Sequence, residues 1–259
     1  VIQNAVDVAR QAITDCSEDE RIILRRYILR LAPHDLERQW GVSADVILDA
    51  IEKSSDLTKR GFRGILAESI FESDVVPTLP GGWAAVKIDR NEDLPYDTLL
   101  RSPDSEVRVQ VKLQRSVKGR PMLFHPKHYA ESSLYVVEVQ KTRTGRKTVD
   151  VKLPRSDLKI KIEQKVTTDT RPYRFGQFDI LAVSMHPSTN DWQSFRYTLG
   201  DWLLPRSDDP SKIAVLQPVS SLPNDVWTDR LETCIEWLAS GKKMRVLQEL
   251  KHVRVRKAE

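Results

Sequence analysis

The sequence predicts a mixed α/β fold, a sheet with helices on its faces, preceded by a helical N-terminal region. Three stretches carry that expectation. Residues 94–100 and 107–115 read as two strands, joined by the breaker-rich turn Arg101-Ser102-Pro103-Asp104-Ser105-Glu106. Residues 56–71 have helical spacing, with Phe62, Ile65, Leu66 and Ile70 in one apolar stripe. Residues 178–183 form a short apolar run after an aromatic-glycine turn, the pattern of a buried strand.

Taken in order, residues 5–32 predict two helices parted near Asp15-Cys16-Ser17-Glu18. Ser17 through Glu20 is a capping box, and Ile22, Ile23, Tyr27, Leu29 and Leu31 supply the apolar positions of the second helix. Pro33-His34 ends it. A short helix over 35–40, the turn Gly41-Val42-Ser43 and a helix over 44–53 together resemble a helix-turn-helix. Packing within a helical subdomain is the plainer reading of that pair, and DNA contact the sharper one. The expected division is a helical region over 1–55 and a second domain over 56–259. In the latter, Gly81-Gly82 turns the chain into a first strand over 83–88.

Side chains alternate along residues 107–113. Val107, Val109 and Val111 face one side, while Arg108, Gln110 and Lys112 face the other. Pairing with the preceding strand then brings Asp97 beside Gln110 and Lys112. A carboxylate, an amide oxygen and an ammonium converging at a sheet edge make a place where Mg²⁺ could sit.

That arrangement resembles the PD-(D/E)XK nuclease superfamily, in which an Asp on one strand and an acid-x-Lys on the next hold the metal and activate water. Here the motif reads Asp97, then Gln110-Val111-Lys112, with Gln110 in place of the acid. The resemblance implies that a further carboxylate restores the missing charge. Gly64-Ile65-Leu66-Ala67-Glu68 looks like the Gly-x-x-x-Glu that many members carry on the helix before the sheet, which makes Glu68 the candidate and Glu72 its rival. Residues 173–183 resemble the core strand that follows, in the family, the helix after the catalytic hairpin. Asp179 at its start reads as a cap or turn residue and stays outside the catalytic set. The resemblance spans roughly residues 61–204. It implies a restriction endonuclease-like core, a catalytic set of Glu68, Asp97, Gln110 and Lys112, and a Mg²⁺ ion held by the first three.

The formal net charge is only +4, but residues 140–175 concentrate positive charge. Lys141, Arg143, Arg146, Lys147, Lys152, Arg155, Lys159, Lys161, Lys165, Arg171 and Arg174 face only Asp150, Asp157, Glu163 and Asp169 there. Such a local excess suits a phosphodiester backbone, or else a solvated charged face. After a strand over 134–142, Arg143-Thr144-Gly145-Arg146 reads as a basic turn leading into residues 147–152. Arg143 or Arg146 would reach guanine edges and Gln140 adenine, unless the hairpin is an edge kept soluble by charge. Lys118 and Arg120, in the loop after the Lys112 strand, complete a DNA-contacting set of Lys118, Arg120, Gln140, Lys141, Arg143, Arg146, Lys147 and Arg174. Further along, residues 194–204 read as strand, turn and strand end, 213–217 as a short strand and 225–239 as a helix with Trp227, Leu231, Ile235 and Leu238 on one face.

Several classes are excluded. No phosphate-binding glycine loop, zinc-spaced Cys/His set or internal repeat is present, and no run of eighteen apolar residues could span a membrane. Cys16 and Cys234 lie far apart and read as reduced thiols of a cytoplasmic protein. Residues from Val1 onward carry no signal- or transit-peptide pattern. The function the resemblance implies is Mg²⁺-dependent endonucleolytic cleavage of double-stranded DNA, most like a restriction enzyme, with a homodimer as the candidate assembly. Two alternatives stand beside it: a DNA-binding regulator or inactive nuclease-fold protein, and a repair or junction-resolving nuclease.

Overall fold

The computed structural model describes residues 2–88, 94–124, 134–139, 142–152, 159–169 and 172–247, with residues 2–3, 142–152 and 159–169 described through their backbone only. The chain divides into two compact units, residues 1–61 and 62–259. The first holds α1 (Ile2–Asp15), α2 (Glu18–Leu31), α3 (Asp35–Trp40), α4 (Ala44–Lys53) and the start of α5 (Asp56–Ile70).

Local chemistry explains these helices. Ser17 caps α2 through the expected box: its backbone N–H donates to the Glu20 carboxylate at 2.8 Å, and the Ser17 hydroxyl faces the Glu20 N–H. Gly41 takes the left-handed conformation, φ 67°, that closes α3. The Glu37 carboxylate accepts from the His34 N–H at 2.7 Å and the Ala44 N–H at 2.6 Å, so one side chain serves the starts of α3 and α4. These two backbone donors, His34 first, hold the Glu37 carboxyl below its ordinary value. Glu37 is also the one buried residue of α2, α3 and α4.

The second unit is built on a five-stranded mixed sheet. Its strands are β1 (Ala84–Val86), β2 (Thr98–Arg101), β3 (Glu106–Leu113), β9 (Ile180–Ser184) and β10 (Phe195–Leu199), in the spatial order β1-β2-β3-β9-β10. All neighbours are antiparallel except β3 and β9, which run parallel with Val109 opposite Ile180 and Lys112 opposite Val183. Between them come β4 (Ser116–Val117) paired with β5 (Arg120–Pro121), β6 (Leu134–Glu138), and β7 (Thr142–Lys152) paired with β8 (Lys159–Asp169). The short α6 (His186–Thr189) joins β9 to β10, β11 (Leu216–Ser220) pairs with β6, and α7 (Leu231–Ala239) follows.

Several expectations change here. The buried positions at the end of α5 are Ala67 and Phe71, whereas Phe62, Ile65 and Leu66 are exposed. A π turn, Phe71–Val75, and a 3-10 turn, Val76–Thr78, continue the helix. Phe71 packs edge-on to Phe195, ring centroids 5.8 Å apart, and against Tyr197 at 6.4 Å. The side chains that β10 presents, and not the largest stripe on the helix, therefore select the buried face. Among the described residues the connection from β3 to β9 contains strands and no helix. Arg143, Arg146 and Lys147 lie within the continuous strand β7, because residues 142–152 pair with 159–169 without interruption. Gln140 and Lys141 lie outside the described residues.

The strand expected over 213–217 forms instead at 216–220, paired to β6, while Ile213 makes only an isolated bridge to Pro205. The helix expected from 225 begins at Leu231. Before it, the Asn224 side chain accepts from the Val226 and Trp227 N–H groups, and Thr228 exchanges backbone hydrogen bonds with Tyr197. A turn thus claims the residues that helical spacing alone assigned to the helix.

Asp179, excluded above from the catalytic set, locks the parallel pair. Its carboxylate accepts from the Arg108 backbone N–H at 2.8 Å, from Nε at 3.0 Å and from the guanidinium tip at 2.7 Å. The bidentate bond to Asp179 is the main cause that raises the Arg108 guanidinium above its ordinary value. Replacing Asp179 with Ala should lower unfolding stability by about 2 kcal/mol, a figure reduced for the partial exposure of the pair. Urea denaturation followed by circular dichroism would measure it, and a loss near zero would show that the pair does not hold β3 against β9.

Candidate active site

β2 begins at Thr98, opposite Val109, while β3 runs on to Leu113. Beyond Val109, therefore, β3 has no β2 residue beside it. Asp97, just before β2, occupies that edge. Its backbone N–H donates to the Val109 carbonyl at 3.0 Å, and its Oδ2 accepts from the Val111 N–H at 2.9 Å. A side-chain carboxylate thus satisfies a backbone donor that the shortened strand leaves over.

The same oxygen takes two further donors, the Gln110 amide Nε2 and, at 3.0 Å, the Lys112 ammonium. Lys112 also donates to the Val111 carbonyl at 2.9 Å. The structure brings Asp97, Gln110 and Lys112 together as the alternation requires. Gln110 is fully buried, and its Oε1 has no partner among the described residues. Asp97 and Lys112 keep side-chain exposures of 24% and 22%, so solvent reaches the ion pair from one side.

Burial pulls the Lys112 ammonium down, but the charges of Asp97, Tyr173 and Glu68 together with the Asp97 hydrogen bond outweigh it, and the net shift is upward. Glu68 is half-buried and within electrostatic range of Lys112. Its helix, though, ends over the other face of the sheet. Phe71 packs on Phe195 and Tyr197, and the Glu72 carboxylate accepts from the Thr98 hydroxyl at 3.0 Å. Those partners share the face of Val109 and Val111. Glu72, the rival candidate, is thereby engaged away from Lys112.

Tyr173, the first residue of the 173–183 run but not among the expected site residues, lies within electrostatic range of Lys112. Its ring stands at 90° to Phe178, centroids 5.7 Å apart, and its carbonyl accepts from the Ile213 N–H at 2.8 Å. An aromatic residue shortly ahead of a buried strand was its only sequence signal.

A hard divalent cation suits part of this donor set. Mg²⁺ binds through one or two carboxylates and keeps several waters, and Gln110 Oε1 is a neutral hard oxygen on the same amide whose Nε2 donates to Asp97. Among the described residues, no three of His, Cys, Asp and Glu converge. Of the expected DNA-contacting residues, Lys118 and Arg120 are exposed on the β4–β5 hairpin, where Lys118 and Gly119 take left-handed φ values of 51° and 74°. Arg174 is exposed and donates to the Ser211 hydroxyl at 2.8 Å. Arg143 and Lys147 fall on one face of the β7–β8 ribbon and Arg146 on the other.

No family model and no curated protein matches this chain. Among solved structures, a bacterial homing endonuclease is similar at a TM-score of 0.37 and 17% identity, the match covering 70% of this chain and 94% of that one. No described helix is long and apolar enough to cross a membrane.

The raised Lys112 value has a testable sign. Its contribution to stability is fully present below the ordinary lysine value of 10.5 and is lost as pH rises through the higher folded-state value. In Asp97→Asn the largest opposing charge and its hydrogen bond are gone, so the Lys112 value moves down from its wild-type position. The stability deficit of this variant relative to wild type should then be greatest below 10.5 and shrink as pH rises through the wild-type Lys112 value. Denaturation midpoints between pH 8 and 11 would check it. Parallel curves would mean that Asp97 does not set the Lys112 charge.

Proposed function

We propose that this chain is a Mg²⁺-dependent deoxyribonuclease of the PD-(D/E)XK type, hydrolysing phosphodiester bonds in double-stranded DNA and most like a restriction endonuclease. The observation that carries this reading is the convergence of Asp97, Gln110 and Lys112 at the open end of β3. The basic strands β7 and β8, with Lys118 and Arg120, support a polyanionic partner.

Asp97 and Gln110 would hold the cation, with Glu68 contributing charge. When bound, the cation supplies positive charge at the phosphate and acidifies a coordinated water. The chain's own part rests on Lys112. An ammonium has three donors; two are spent on Asp97 and the Val111 carbonyl, and one remains to orient the attacking water and neutralise charge developing on the phosphate. Asp97 aims that ammonium and keeps it protonated. For Gln110 to offer its oxygen on the Asp97 side, its amide turns about the last side-chain torsion, a motion with a soft, two-fold profile.

A second reading is a DNA-binding protein that does not cut. It is favoured by the saturation of Asp97 Oδ2, which already accepts three donors, and by the lack, among the described residues, of three converging His, Cys, Asp or Glu side chains.

Supercoiled plasmid incubated with the protein and Mg²⁺ separates the two. Discrete linear products are expected, and Lys112→Ala should abolish them while leaving DNA affinity within a few fold, because most affinity comes from other phosphate contacts. Full cleavage by Lys112→Ala would remove the lysine from the mechanism. DNA binding without cleavage by the wild-type protein would leave the regulator.

The helix carboxylates give an independent check. Glu68→Gln should lower the cleavage rate by about tenfold or more, with part of the loss recovered at higher Mg²⁺ or with Mn²⁺, which accepts neutral donors more readily. Glu72→Gln keeps an acceptor for Thr98 and should cut normally. Metal titrations of both variants decide the matter, and equal rates would make α5 purely structural.

A further inference from the structure

Resting on the nuclease reading above, we propose that Gln114 is a positioning residue of the same site, holding internal water beside Lys112. The ladder of β3 continues through this residue, whose N–H donates to the Ser184 carbonyl at 2.9 Å. Side-chain alternation therefore puts Gln110, Lys112 and Gln114 on one face. Gln114 is 1% exposed, and neither its Nε2 nor its Oε1 has a partner among the described residues. With Gln110 Oε1, three buried amide atoms without partners bracket the lysine along its own strand.

A second buried glutamine shows what a purely structural one looks like in this fold. Gln217 is equally inaccessible, yet its Oε1 accepts from the Leu204 N–H at 2.8 Å. Its Nε2 donates to the Leu204 and Ala214 carbonyls at 3.0 and 2.8 Å. Gln217 staples a loop to a strand. Gln114 does nothing of the kind, although an unmet buried amide atom is destabilising. A residue kept for packing would be replaced at no loss by Leu or Met.

The chemistry identifies the ligand. The amide is too enclosed to meet a phosphate, and in the DNA-free protein a water beside it can accept the third Lys112 donor, which passes to the attacking water once DNA is bound. Residues two apart on a strand face lie about 6.6 Å from each other, a gap that water bridges between side-chain polar atoms. Water held by the Gln114 amide thus supports the ammonium on the side away from Asp97 and limits its swing.

The experiment compares wild type, Gln114→Leu, Gln114→Glu and Gln217→Leu. Rotating-frame Overhauser spectra should show long-lived water at the Gln114 amide protons of the metal-free protein. Gln114→Leu should lose about 10–100-fold in kcat with KM for DNA unchanged and a melting temperature equal to or above wild type. Gln114→Glu keeps a water acceptor and should restore most of the rate, while Gln217→Leu should lose melting temperature and keep kcat. Should Gln114→Leu fail to fold, Gln114→Met carries the same comparison. A rate within twofold of wild type in a folded apolar variant, or no water signal at Gln114, overturns this inference alone. No cleavage by the wild-type protein overturns the nuclease reading instead, whatever the water signal shows.

Discussion

At Val111 the β3 backbone has run past the end of its β2 neighbour, and the N–H left there is met at 2.9 Å by the Asp97 carboxylate. The rest of the site depends on that substitution of a side chain for a strand. The Asp97 N–H is fixed on the Val109 carbonyl, so the carboxylate can reach only the next residues of β3. Those are Gln110, by its amide, and Lys112, by its ammonium. On the other flank β9 runs parallel to β3, and the Arg108–Asp179 pair ties the two where they start. Site geometry and sheet register are therefore one constraint.

Gln110 changes the electrostatics of that constraint. Were residue 110 an acid, two carboxylates would share one sheet edge, and without a cation one of them would have its pKa pushed up. A neutral amide removes the repulsion and donates to Asp97 instead. The end of β3 is then held together by the chain's own donors, a backbone N–H, an amide and an ammonium. For the proposed metal site the cost would fall on affinity, since a single hydrogen-bonded carboxylate attracts a hydrated divalent ion weakly. Glu68 adds negative charge within electrostatic range of Lys112.

What could be read in the sequence was local. The breaker turn expected over 101–106, the two-residue alternation of β3 and the Ser17 box each depend on neighbours a few residues apart, and each forms in the structure, the turn shortened to 102–105 by the pairing of Arg101 with Glu106. What could not be read was decided by distant partners. Phe62, Ile65 and Leu66 outnumber the apolar side chains on the opposite side of α5, yet Ala67 and Phe71 are buried because β10, more than a hundred residues later, offers Phe195 and Tyr197. The Asn224 turn displaces the start of α7 for a similar reason: Thr228 is claimed by Tyr197. The helix expected between β3 and β9 came from family resemblance and not from periodicity. The alternating residues of 142–152 and 159–169 form a ribbon there. Tyr173 had no motif of its own, and only the tertiary structure brings it to Lys112.

β3 also explains why a site built on so few groups can be held in place. One of its faces, through Val107, Val109 and Val111, belongs to the hydrophobic core, and the facing element ends in the buried Phe71. The other face presents Arg108, Gln110, Lys112 and Gln114, each either paired, buried or both. A shift of one residue in register would exchange these two faces and put two charged side chains into the apolar core, so the core itself enforces the placement of Lys112. Side chains carried by a strand that is packed on both sides are located more narrowly than any on a surface loop. The basic ribbon β7–β8 is under no such demand from the described residues, and its register is set by its own eleven paired positions. Position is thus held most narrowly at Gln110 and Lys112, whereas a basic ribbon acts on any partner through charge, which needs number and sign more than exact position.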